Sequence, residues 1–76
     1  MELIFVNAYT QKPINHYMEV DEDKIKNMIF HLEQTISKKL VVEILDYNKK
    51  PIKAIYVNYS VVKDSKVYRL FFKLYK

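Results

Sequence analysis

The chain has no cysteine and no glycine in 76 residues, and only two prolines, two alanines and one arginine. Without cysteine there is no disulfide and no thiol nucleophile, and a structural zinc site loses its usual ligands. Without glycine, neither of the common glycine loops that cradle phosphate can form. Glycine is the usual residue at positive backbone φ, so turns must instead use Asn, Asp, Ser or Lys, which favours longer loops over two-residue primed hairpins. No apolar run of about 18 residues appears, so no membrane span is expected, and the reading is of a cytoplasmic protein.

What is present shares a cause with what is missing. Phe, Tyr, Met, Ile, Asn and Lys make up 39 residues. Those residues have AT-rich codons, and the depleted ones have GC-rich codons. The composition points to an AT-rich genome, such as that of a low-GC bacterium, its phages or plasmids, or a similarly biased archaeal or viral genome. Half the residues are hydrophobic, enough to fold. The length predicts a single domain over residues 1–76, whose core supplies roughly 3–5 kcal/mol of net stability. A regular sheet, dimerisation or a partner must supply the rest.

The formal charge of +4 is unevenly spread. Residues 1–47 hold five lysines against eight acidic residues, a net of −3. Residues 48–76 hold seven lysines and Arg69 against Asp64 alone, a net of +7. Such asymmetry fits an acidic protein surface or nucleic acid, and also a solvated lysine-rich face.

Along the chain, residues 2–9 read as a strand with the apolar run Leu3, Ile4, Phe5, Val6, followed by a turn at Thr10–Pro13. Residues 14–20 alternate, with Ile14, His16, Met18 and Val20 on one face and Asn15, Tyr17 and Glu19 on the other. A helix follows to about Ser37. Asp21 is its N-cap, Glu22 and Asp23 favour its first turn, and Val20 with Ile25 forms a hydrophobic staple. Ile25, Met28, Ile29, Leu32 and Ile36 form its apolar stripe, Glu22 and Lys26 pair at i,i+4, and Lys38 and Lys39 suit its C-terminal end. Strands are expected at 40–47, 52–62 and 67–75, separated by turns at Asp46–Pro51 and Lys63–Lys66. The economical architecture is α+β: an antiparallel sheet of five strands, in chain order β-β-α-β-β-β, with one amphipathic helix on one face.

Alternation sorts the last two strands into faces. Ile55, Val57, Tyr59, Val61, Tyr68, Leu70, Phe72 and Leu74 are expected beneath the helix. Ala54, Tyr56, Asn58, Ser60, Val67, Arg69, Phe71, Lys73 and Tyr75 are expected on the other face, which one helix cannot also cover. The candidate interaction surface is therefore Tyr56, Asn58, Arg69, Phe71, Lys73 and Tyr75. Rings interleaved with cations serve single-stranded nucleic acid binding and protein interfaces alike. They also pack well on a pleated surface with no function at all.

No catalytic, cofactor-binding or metal-binding residue is assigned. Ser37, Ser60 and Ser65 carry no cue linking them to a histidine and an acid. His16 is expected hydrogen-bonded at the core edge and His31 solvated, each without a second ligand at metal spacing. Asp21, Glu22 and Asp23 lack a calcium-loop pattern. The chain resembles ribosome-dependent messenger-RNA-cleaving toxins in size and in a basic, aromatic C-terminal strand. Its single arginine departs from sites that stabilise phosphate charge with several basic groups. In size and composition it also resembles small inhibitors of host defence, including anti-CRISPR proteins. That likeness implies a non-enzymatic phage or mobile-element accessory factor whose partner is another protein, such as a nucleic-acid-processing enzyme. Glu22, Asp23 and Glu33 would then be the phosphate-mimicking contact surface. The alternatives are single-stranded nucleic acid binding through the basic aromatic face and a homodimer closed by that face.

Overall fold

The computed structural model describes residues 1–62 and 64–75. It contains β1 (Glu2–Asn7), β2 (Pro13–Tyr17), α1 (Glu22–Ile36), β3 (Val42–Leu45), β4 (Pro51–Val62) and β5 (Val67–Leu74). The fold is α+β, and every predicted element is present. The turn expected at Lys63–Lys66 is described from Asp64 onward, since Lys63 lies outside the described residues.

Absent glycine is replaced by side-chain chemistry at the turns. The Asn7 Oδ1 accepts from the backbone N–H groups of Tyr9 (2.9 Å) and Thr10 (3.3 Å). The Asp46 Oδ1 accepts from those of Asn48 (2.8 Å) and Lys50 (2.9 Å). These side chains close turns that glycine would otherwise allow. Gln11, Glu19, Lys39, Lys49 and Lys66 adopt positive φ, between 51° and 63°. Lys39 fills the position glycine favours after a helix. Its N–H bonds to the Ile36 carbonyl and the Leu40 N–H to the Thr35 carbonyl, both at 3.1 Å, completing a Schellman motif.

The helix starts as its sequence dictates. The Asp21 carboxylate accepts from the Asp23 N–H at 3.0 Å, and Glu22 and Asp23 occupy the first turn. Val20 and Ile25 both pack into the core. Ile25 and Ile29 are buried and Met28 and Leu32 half-buried, but Ile36 is exposed at the end of the stripe.

The sheet corrects the expected antiparallel architecture. Its spatial order is β2-β1-β5-β4-β3. The β1–β2 hairpin and the β3-β4-β5 meander are antiparallel, but β1 and β5 pair in parallel, from Glu2 with Val67 to Asn7 with Phe72. The sheet is therefore mixed, and its central strand β5 and that strand's parallel neighbour β1 come from opposite ends of the chain.

Five strands span ~24 Å, and a helix is only ~10 Å wide, so α1 cannot cover the sheet. It packs chiefly on β4, where Ala54 is fully buried and leaves room for it. The sheet curls to enclose the remainder, and its two edges approach each other. The Asn15 amide on β2 donates across the gap to the carbonyls of Leu45 (2.9 Å) and Asp46 (3.1 Å). Inside the curl, Tyr17, Phe5, Phe72 and Tyr56 form a relay of edge-to-face contacts, with centroids 5.4, 5.1 and 5.8 Å apart. The relay joins β2, β1, β5 and β4 into one core.

Candidate functional site

The outer face of the sheet carries no helix. Its composition follows from cross-strand register, because directly paired residues share a face. Asn58 pairs with Phe71, Ser60 with Arg69, and Ile55 with Lys73. On the other side of β5, Val6 pairs with Phe71 and Ile4 with Arg69. The centre of the face is therefore Ile4, Val6 and Phe71. Arg69 and Lys73 flank Phe71 along β5, ~13 Å apart along the strand.

Five of the six expected surface residues lie on this face or at its border. Asn58, Arg69, Lys73 and Tyr75 are exposed, and Phe71 is half-buried. Tyr56 is not among them. It is 2% exposed and belongs to the core. The cause is a register irregularity in β4 between Tyr56 and Asn58, which separates two residues that strict alternation would put on one side. Ala54 therefore also turns inward, Ile55 turns outward beside Lys73, and Tyr59 and Val61 resume the helix-side position.

A second irregularity between Phe5 and Val6 does the same for β2. Tyr17 stacks on Phe5 inside. His16 pairs with Ile4 and is exposed, its Nε2 3.8 Å from a Glu2 carboxylate oxygen. This corrects the expectation that His16 belongs to the apolar register and Tyr17 to the opposite one.

The face holds residues that alternation did not reveal. Tyr9, 71% exposed, lies under the Lys73 ammonium at 6.0 Å, a cation–π contact. Lys53 and Tyr75 line a shallow recess with Glu43 and Val41. A larger depression of about 380 Å³ is lined by Ile4, Val6, Gln11, Pro13, Arg69 and Phe71. The sequence did carry a signal for the apolar floor: the unbroken run Leu3–Val6 is what a central strand with apolar groups on both faces looks like.

Among the described residues, the ion pairs are Glu2–His16 and Glu22–Lys26. Arg69, Lys73 and Lys53 thus carry positive charge with no carboxylate of the described residues within 4 Å. The acidic residues proposed as phosphate mimics do not form one patch. Glu22 accepts a 2.7 Å hydrogen bond from the Tyr68 hydroxyl and lies 4.0 Å from Lys26. Asp23 and Glu33 are exposed, and Glu33 lies ~16 Å further along the helix than Glu22.

Two phenols are perturbed. Burial, with the Glu33 carboxylate and Tyr59 adding to it, pushes Tyr56 up to about 12. The hydrogen bond to Glu22 pushes Tyr68 up to about 12, with burial second. Neither titrates near neutrality. No three His, Asp or Glu side chains converge on a metal position among the described residues. No described helix is long and apolar enough to cross a membrane.

Comparison with protein-family models, curated proteins and solved structures finds no match to this chain.

Proposed function

We propose that the protein is a non-enzymatic binding factor that docks another protein through the outer sheet face. The observation that carries this reading is the apolar floor of the half-buried Ile4 and Phe71, with Val6 buried between them, flanked by Arg69 and Lys73, which form no ion pair among the described residues. An apolar centre with a charged rim is the usual anatomy of a protein interface. The cations select an acidic partner surface, and the depression beside Phe71 accommodates one apolar side chain next to a carboxylate on Arg69.

The same geometry argues against nucleic acid as first choice. Base stacking needs rings standing clear of the sheet. Phe71 is half-buried among aliphatic neighbours, Tyr56 is in the core, and the exposed rings Tyr9 and Tyr75 sit at the border. Small size and AT-biased composition extend the reading to a phage or mobile-element accessory factor acting on host nucleic-acid or defence machinery.

The test is quantitative affinity capture from host lysate with the parent chain and the double variant R69E/K73E, alongside binding of a labelled single-stranded oligonucleotide at ~50 and ~200 mM salt. A protein enriched by the parent and lost with the double variant supports the proposal. No difference between the two baits overturns it. Salt-sensitive oligonucleotide binding abolished by the double variant replaces it with nucleic acid recognition, and a parent dimer dissociated by the double variant replaces it with self-association.

A further inference from the structure

The concave side of the sheet holds a second opening, separate from the outer face. Because α1 packs chiefly on β4, the ground between the helix, β2 and β3 is left uncovered. Asn15 bridges the two edges at one end only, at the carbonyls of Leu45 and Asp46. A slot of about 460 Å³ remains beside that bridge. Its walls include Phe5, Tyr17, Met28, Leu32, Val42 and Ile44, with Phe72 also lining it.

We infer that this slot is a binding site for a small, neutral, largely apolar ring compound that carries a hydrogen-bond acceptor. Size, charge and polarity each contribute to that assignment. Benzene occupies an apolar cavity of ~150 Å³, so this slot has room for two or three rings. It also falls within the size of ordinary ligand pockets, which favour the mouths of curled sheets and barrels.

Charge excludes one large class of apolar ligand. Among the described residues the slot's one charged lining residue is Glu43, and no cation lines it. A fatty acid or other anionic amphiphile would lose its hydration there without gaining a counter-charge.

Polarity comes from Tyr17. Its hydroxyl accepts from the Asn15 amide at 3.0 Å and donates to no group among the described hydrogen bonds. The hydroxyl proton is thus left for an acceptor on the ligand, at the end of the slot where β2 meets β3. Two carbonyls and the phenol oxygen hold the Asn15 amide in place, so the donor is preorganised.

The test uses a neutral two-ring probe bearing a ketone, 6-propionyl-2-(dimethylamino)naphthalene, with the anionic 8-anilinonaphthalene-1-sulfonate as comparator. The parent chain should bind the ketone with one-to-one stoichiometry and a blue-shifted emission. Val42→Phe and Met28→Trp, which fill the slot from two walls, should each weaken it at least about tenfold with an unchanged far-UV spectrum. Tyr17→Phe should weaken it by about threefold or more, as loss of one hydrogen bond requires. Amide and methyl shifts in the parent should move at Tyr17, Leu32 and Val42. These shifts decide the matter if a filling variant fails to fold. Absence of binding, shifts confined to Ile4 and Phe71, undiminished binding by both folded filling variants, or equal affinity for the sulfonate would each overturn the assignment.

Discussion

Tyr56 carries its hydroxyl into the core with no hydrogen-bond partner among the described residues. Tyr68, two strand positions from Tyr59 across the β4–β5 pair, carries its own to Glu22 at 2.7 Å. Replacing each by phenylalanine removes the same atom from two opposite situations. At Tyr56 the lost atom is one that was stripped of water without compensation, which costs roughly 1–3 kcal/mol. Part of that is returned as lost packing contact, so Tyr56→Phe should stabilise the chain by about 1 kcal/mol. At Tyr68 the change breaks a hydrogen bond to a charged acceptor. Because Glu22 is half-exposed and can rehydrate, the loss should be about 1 kcal/mol rather than the larger figure for a buried pair. For a chain of this size, one kcal/mol moves Tm by about 4–8 °C. Thermal and urea unfolding of the parent and both variants should therefore bracket the parent, with Tyr56→Phe above it and Tyr68→Phe below. If Tyr56→Phe instead lowers Tm by several degrees, the hydroxyl has a partner in solution, and the ledger for this core is wrong.

The same phenols make the fold alkali-sensitive. Both have folded pKa values raised from 10.0 to about 12. Their contribution is fully present below pH 10 and is lost as pH rises toward 12. Urea midpoints measured from pH 8 to pH 12 should fall steeply above pH 10, and Tyr56→Phe should flatten part of that fall. A flat profile would count against both shifts. Asn15→Ala removes the bridge between the two sheet edges and leaves the Leu45 and Asp46 carbonyls to water. It should cost about 1–2 kcal/mol and raise hydrogen exchange in β2 and β3 ahead of β4. Uniform exchange across the sheet would show that the edges are held together by something else.

Element types were readable because local chemistry sets them, though β1, β2 and β3 end two or three residues short of the expected limits. Asp21, the Ile25–Leu32 spacing and the turn at Asp46 act within a few residues of themselves, whereas the turn closed by Asn7 falls inside the strand expected over 2–9. The faces were readable only where strands are regular. β5 has no irregularity relative to β1, and Arg69, Phe71 and Lys73 fell where alternation put them. In β4 a bulge divides Tyr56 from Asn58, and nothing near Val57 announces it, since the usual glycine marker is missing from this chain. Parallel pairing of β1 with β5 was hidden for another reason: it depends on which edges remain free after the hairpin and the meander have formed, and no local pattern encodes that. The apolar slot escaped notice because it is a residue of coverage, left by one helix on a sheet too wide for it.

The parallel β1–β5 seam has a kinetic meaning. It joins residues 2 and 67, so closing it carries the largest loop entropy of any contact in the sheet, while the hairpin and the meander each close over short turns. The chain should assemble as two locally formed halves whose docking is the slow, committing step. The seam then becomes the plane along which the native sheet first separates under stress, exposing Leu3, Phe5, Leu70 and Phe72 together with two freshly unpaired edges.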